Sequence, residues 1–382
     1  MIVSSVTYEN WRNIVSSRVA LTGGINVLWG HNAQGKSNIL EGIYYFARGR
    51  SFRGAKEREL VGFGAEYARA VLSFRRNGYE NDTVLEAALP LAGKKKLLRN
   101  GAPLSSSAEM LGTFRATLFC PANLTLVTGG PAERRAFLDI ALSQISGEYL
   151  ARVRRYAKLL AERGALIRRA ADGLPVSREE WDVYAEGLAE NGVWIAAYRK
   201  QYVKLLDEAA ARYFAGMTDG AEVPSLVYRS HADAPELPSP LFAACPAPDP
   251  SALAEKLCAN RDREIAAGTT LWGVHKDDVF LSLNGMDARS FASQGQQRSM
   301  ALSMKLGEAE IAKAVGGEYP VILLDDVFSE LDENRRRYIL DSLTEGAEGE
   351  RQIIITSCEP DVIPGNRSAR VNFRHVKNGE VE

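Results

Sequence analysis

The sequence predicts an α/β protein whose sheet-forming ends enclose an all-helical insertion. Three observations predict it. A short apolar strand at 25–29 runs through a glycine-rich turn into a helix at 37–48. A second apolar strand at 320–324 ends in two carboxylates, Asp325 and Asp326. Between them, residues 131–216 carry little Pro or Gly and follow a seven-residue apolar repeat. At about 150 residues per domain, 382 residues suit two to three units. The expected division is a head in two parts, 1–130 and 267–382, with a helical arm at 131–266 inserted between them.

Composition narrows the class. Lys and Arg number 47 against 48 Asp and Glu, a net charge of −1, which excludes a polybasic nucleic-acid coat but leaves room for local basic faces. At 46% hydrophobic and 25% charged, the chain is ordinary globular material. Its apolar runs fall far short of the ~20 residues a membrane helix needs. The N-terminal residues lack the basic-then-apolar layout of a secretion signal. Cys120, Cys245, Cys258 and Cys358 are scattered without CxxC spacing, which fits a reducing cytoplasm and no zinc site.

The elements follow in order. Residues 67–101 read as an antiparallel meander punctuated by two turn dipeptides, Asn77-Gly78 and Asn100-Gly101. Val153, Tyr156, Leu160, Ile167 and Ala170 fall on one heptad seam, with Arg163 at the remaining position. Trp181, Tyr184, Leu188, Ile195, Tyr198, Tyr202, Leu205 and Ala209 fall on another, interrupted by Asn191. Ser177 and Glu180 form a capping box that starts this second helix. About 39 residues at 1.5 Å each would span roughly 58 Å, enough to project from a globular head as an antiparallel hairpin. Six prolines make 234–250 a loop, and a helix is expected at 251–266. Beyond it come a strand at 279–283, a turn at Asn284-Gly285, a helix at 299–314 and a strand at 352–357.

The chemistry concentrates in four segments. Gly30-His31-Asn32-Ala33-Gln34-Gly35-Lys36-Ser37 is GxxxxGK[ST] between a strand and a helix, the context a phosphate-binding loop requires. Backbone N–H groups from Gly30 through Asn38 would wrap the phosphates of ATP, aided by the positive end of the helix. Lys36 would reach the β and γ oxygens, and Ser37 would ligate Mg²⁺. Two carboxylates at the end of a buried strand are costly unless a cation sits there. Asp325 would therefore hold Mg²⁺, and Asp326 would polarise the attacking water. Ser293, Gln294, Gly295, Gln296 and Gln297 precede a helix and stand where ABC-type ATPases carry their signature. Ser329 and Asp332 stand at the D-loop position. One chain has one P-loop and one signature, so a complete site needs two chains. Lys36 and Asp325 must meet on one nucleotide, so the two ends of the chain fold together.

Nearly the whole chain resembles the RecF family of bacterial recombinational repair, compact relatives of SMC heads. The resemblance runs through the P-loop, Gly49 to Arg53, Phe119 to Pro121 and Gly130 to Asp139. It continues with Tyr156, Leu160 and Arg163, then Gly268 to Thr270, His275 to Asp278, the signature, Leu323 to Asp326 and Ser329 to Asp332. Ala122 and Asn123 replace the family's acidic pair, and Val274 and Lys276 depart from its Gly-Pro-His-Arg-Asp-Asp. Thr356 and Ser357 stand where transporter ATPases have a switch His, so a transporter subunit is disfavoured. The resemblance implies an SMC-like ABC ATPase head with an antiparallel β subdomain. It also implies an ATP-dependent homodimer on double-stranded and gapped DNA, working with RecO and RecR to load RecA, with slow DNA-stimulated ATP hydrolysis.

The residues themselves offer basic clusters for DNA. Residues 151–172 hold seven Lys/Arg against two acids, including Arg154 and Lys158. Residues 48–58 hold five, including Arg53 and Lys56, and Lys94 to Lys96 with Arg99 form a third cluster. Such runs are more often solvated faces than contacts, and Arg134 and Arg135 could equally pair with acids. The rival reading is an SMC-like DNA clamp ATPase with other partners.

Overall fold

A computed structural model describes residues 1–218, 220, 222–232, 234–328, 331–344, 351–360, 363 and 371–382. In chain order the first elements are β1 (Ile2–Trp11), β2 (Ile14–Ala20), β3 (Gly24–Trp29), α1 (Lys36–Arg48), β4 (Tyr67–Arg75) and β5 (Thr83–Pro90). Next come β6 (Lys96–Arg99), β7 (Ala102–Pro103), α2 (Ser107–Met110), β8 (Ala116–Phe119), α3 (Thr125–Thr128) and α4 (Pro131–Ile145). The long helices are α5 (Gly147–Ala171) and α6 (Arg178–Met217), followed by β9 (Pro224–Arg229), α7 (Ser251–Ala259) and α8 (Arg261–Ala267). The rest are β10 (Asp278–Leu283), β11 (Met286–Asp287), α9 (Ala288–Phe291), α10 (Gln294–Gly316), β12 (Val321–Asp325), α11 (Glu333–Thr344), β13 (Gln352–Ser357), β14 (Val371–Lys377) and β15 (Glu380–Val381).

These elements form two compact units. The first holds Met1–Asn123, Ala215–Gly220 and Lys305–Glu382, so both ends of the chain share it. Its two six-stranded sheets have the orders β2-β1-β4-β5-β6-β7 and β15-β14-β3-β13-β12-β8. The former is antiparallel throughout. The latter is parallel except for β15. Helix α1 is buried on every side from Ile39 to Ala47, and one apolar core joins it to Val6, Tyr8, Leu72 and Phe74 of the first sheet and to Leu28, Leu323 and Ile354 of the second. A helix covered on all sides belongs inside a core, and from Ile39 to Ala47 α1 carries one charged residue there, Glu41.

The turn at Asn100-Gly101 has the two left-handed residues of a tight hairpin, φ 52° and 81°. Asn77-Gly78 does not close a two-residue turn. The β4–β5 connection is longer because Glu318 holds it, accepting from Arg76 Nε and Asn77 N at 2.9 Å each.

The second unit, Leu124–Phe214 with Ala221–Met304, departs from expectation in its bounds and in its packing. Residues 267–304, expected with the head, belong here through Met304, because β10 pairs antiparallel with β9 along its whole length. The unit also begins at Leu124 rather than 131. The helical hairpin does not stand alone: α6 is buried continuously from Asn191 to Arg199. Leu253 of α7 and Tyr156 of α5 both close on Gly192, while Arg163 of α5 pairs with Glu264 of α8. The expected helix at 251–266 is two helices, broken at Asn260. Helix α6 has 40 residues, and its capping box is present, with Glu180 N donating to Ser177 Oγ at 3.1 Å and Ser177 N to Glu180 Oε2 at 2.9 Å.

Candidate nucleotide site

Strand order builds the site. Strand β13 lies between β3, which leads into the P-loop, and β12, which ends in the acidic pair. In register, Thr356 of β13 sits between Leu28 of β3 and Asp325 of β12. Parallel strands present their carboxyl ends together, the usual place for a ligand in such sheets. A pocket of about 400 Å³ opens there, lined by residues 32–38 with Asn13, Arg53, Asp326 and Thr356.

The loop geometry demands its glycines. Gly30 has φ 152°, and a Cβ there would meet the Val376 carbonyl oxygen at 2.3 Å. Gly35 has φ 108°, a conformation L side chains rarely adopt, and Asn13 stands 3.0 Å from where its Cβ would be. Lys36 is buried, its ammonium bonded to the carbonyls of Gly30 and, at 2.7 Å, His31. The loop is braced from the far end of the chain. Gly379 N donates to Gln34 O at 2.9 Å, and Asn378 N donates to Gln34 Oε1 at 2.7 Å. Cys358 Sγ reaches Asn32 Oδ1 at 3.0 Å.

Thr356 organises the acidic pair. Its hydroxyl donates to Asp325 Oδ1 at 2.9 Å and accepts from Asp326 N at 3.0 Å. Asp325 is buried, whereas Asp326 lines the pocket with a left-handed φ of 52°. Burial, with the Asp325 carboxylate adding to it, pushes the Cys120 thiol up, so it stays protonated.

Sequence reasoning missed three residues of this wall. Asn13 donates to Ala33 O at 3.3 Å and accepts from Asn38 Nδ2 at 2.7 Å. Only its place in a strand turn could have signalled it. In the sequence Thr356 marks only the position where transporter ATPases have a switch His. Arg53, grouped with the DNA candidates, turns toward the nucleotide pocket, its Nη1 donating to Asn38 Oδ1 at 2.9 Å.

The other expected residues are not among those lining this pocket. Ser293 caps α10, accepting from Gln296 N at 3.3 Å, while Gln296 Oε1 accepts from Ser293 N at 2.6 Å. Gln297 is buried and donates to the carbonyls of Ala288 and Arg289, and Gln294 is exposed. These residues belong to the second unit. Asp332 accepts from Arg335 N at 2.9 Å at the start of α11, and Ser329 lies outside the described residues. Lys56 and Arg154 are exposed, and Lys158 is exposed beside Glu162 on α5. Arg134 pairs with the Asp278 carboxylate, whereas Arg135 donates to the backbone carbonyl of Asp277, both within the second unit.

Thr270, His275 and Asp277 make polar contacts inside that unit. Tyr156 OH bonds His275 Nδ1 at 2.8 Å, and His275 Nε2 bonds Thr270 O at 3.0 Å. Buried Asp277 accepts from Tyr228 OH, Ser230 Oγ and His231 N.

The family described as RecF/RecN/SMC N terminal domain matches residues 2–381. A DNA replication and repair protein RecF from Clostridioides difficile is 34% identical over 386 residues, covering all of this chain and 98% of that one. The chain belongs to the RecF family. A second RecF, from Shouchella clausii, is 35% identical over 90% of each chain. A solved structure of the recombination mediator protein RecF with ATP superposes on this RecF-family chain with a TM-score of 0.86, at 31% identity, covering 97% of that structure. An Smc head bound to part of ScpA matches with a TM-score of 0.56 at 14% identity, which establishes a shared fold.

Proposed function

We propose that this chain is an ATP-dependent DNA-binding protein of recombinational repair, with slow DNA-stimulated ATP hydrolysis. One observation carries the reading: the P-loop, Thr356 and the acidic pair converge at the ends of adjacent parallel strands. The donor set suits Mg²⁺, a hard cation that prefers oxygen ligands. Ser37 and Asp325 would hold it, where it supplies charge neutralisation on the phosphates. Nucleotide oxygens and water would complete the set, since Mg²⁺ is usually held by one or two carboxylates together with substrate phosphates.

The chain's own residues divide the remaining work. Backbone N–H groups of the loop and the α1 N-terminus take the phosphates. Lys36 exchanges its bonds to Gly30 and His31 for phosphate oxygens. Asp326 orients the attacking water, and Thr356 fixes Asp326 through its backbone. Ser293, with its hydroxyl hydrogen uncommitted to its own cap, completes the nucleotide site of a second copy. The resemblance to RecF supports the ATP-induced dimer, binding to double-stranded DNA near gaps, and cooperation with RecO, RecR and RecA. Exposed Arg154 and Lys158 on α5 and Lys56 on the head are the DNA candidates.

Sizing the protein on duplex DNA with and without ATP tests the reading; no ATP-dependent dimer would overturn it. Mixing Ser293→Arg with Lys36→Arg tests action in trans. The mixed dimer has one intact site and should turn over ATP well above either variant. Lower ATP affinity of dilute Ser293→Arg monomer would instead show that Ser293 serves its own nucleotide.

A further inference from the structure

Glu41 lies one turn beyond Ser37 in α1 and is completely buried. No step above uses it. A buried carboxylate is costly unless cations and donors surround it, and they do. Arg12 grips it with two bonds, Nε to Oε2 at 2.9 Å and Nη2 to Oε1 at 2.8 Å. Ser51 Oγ also donates to Oε1, and Arg53 Nη1 stands 3.9 Å from Oε2. Ser51 in turn accepts from Arg53 N at 3.0 Å. One carboxylate thus ties the β1–β2 turn and the segment after α1 to the P-loop helix. Its outcome is the placement of Arg53, whose guanidinium lines the phosphate pocket beside Asn38.

We propose that Glu41 is a positioning residue: through Ser51 it seats the segment carrying Arg53, so that Arg53 meets the phosphates of the bound nucleotide. The inference rests on the nucleotide reading above. An Arg–phosphate contact made in both ground and transition states raises KM when lost and leaves kcat in place. A purely structural defect lowers the active fraction, and so apparent kcat, without moving KM.

The test titrates ATP in a DNA-stimulated turnover assay with Glu41→Gln, Ser51→Ala, Arg53→Ala and the Glu41→Gln/Arg53→Ala pair. Arg53→Ala should raise KM about tenfold, the worth of one charge-assisted hydrogen bond. Glu41→Gln should raise it similarly, and the double variant no further, because both lesions remove the same contact. Ser51→Ala keeps the buried ion pair with Arg12 and should shift KM in the same direction, so it decides the question if Glu41→Gln folds poorly. Unchanged KM in Ser51→Ala, or full additivity in the double variant, overturns the proposal. Wild-type protein that neither binds nor turns over ATP, indistinguishable from Lys36→Ala, would instead sink the nucleotide reading beneath it.

Discussion

Replacing Thr356 with Val changes a hydroxyl for a methyl at nearly constant volume, so packing is almost untouched. Chemistry is not. The hydroxyl donates to the buried Asp325 carboxylate at 2.9 Å and accepts from Asp326 N at 3.0 Å. A hydrogen bond to a charged group contributes about 1.5–3 kcal/mol, and a half-buried N–H stripped of its acceptor adds up to about 1 kcal/mol more. Asp326 also holds φ at 52°, a strained setting that persists only while its surroundings impose it. The expected loss is roughly 2–4 kcal/mol. For a unit of this size that lowers the melting midpoint by about 5–10 °C. Turnover should fall by at least about tenfold, because Asp326 no longer faces the water correctly. Thr356→Ser keeps the hydroxyl and should retain most of both properties. Thermal melting and steady-state turnover on the three proteins decide it. A Val variant that melts within about 1 °C of wild type and hydrolyses ATP normally would refute the bridging role.

Three further outcomes are expected. Asp326→Asn should keep ATP binding and trap the ATP-bound dimer, while Asp325→Asn should weaken Mg-dependent binding itself; equal binding defects would contradict this division. Arg163→Met should cost about 3–5 kcal/mol in denaturant melts by stranding the Glu264 carboxylate, and adding Glu264→Gln should recover part of it. Burial holds the His275 imidazole below its ordinary pKa, so the folded state prefers it neutral. The unfolded chain then takes up the proton first, and stability present above about pH 6.5 declines as the pH falls through that value. Chemical denaturation between about pH 7.5 and 5.5 should show this slope, and His275→Asn should flatten it.

What could be read from sequence was what is local. The P-loop declares itself because backbone conformation at Gly30 and Gly35 restricts the residue type. The Ser177–Glu180 cap and the Asn100-Gly101 turn are likewise short-range chemistry. Nonlocal packing was less accessible. The heptad seams of α5 and α6 suggested a projecting hairpin, yet α7 and α8 close over it. The interrupting Arg163 carried the missing signal: a cation on an apolar seam needs a buried acid from another element, here Glu264. The placement of Arg53 at the nucleotide pocket was not legible, because charge counts carry no direction. Its orientation is set by Asn38 and Glu41, neither of which marks itself in a composition window.

The bracing of Gln34 by Asn378 joins residues 344 positions apart, and Gly379 bonds the same residue. During synthesis the phosphate loop emerges early, but its supports at Thr356, Val376 and Gly379 emerge only after the second unit has been made. A ribosome-bound fragment containing the P-loop therefore lacks its finished shape. A message truncated upstream of these supports encodes a phosphate loop without Asn378 and Gly379 to brace it and an acidic pair without Thr356 between its members.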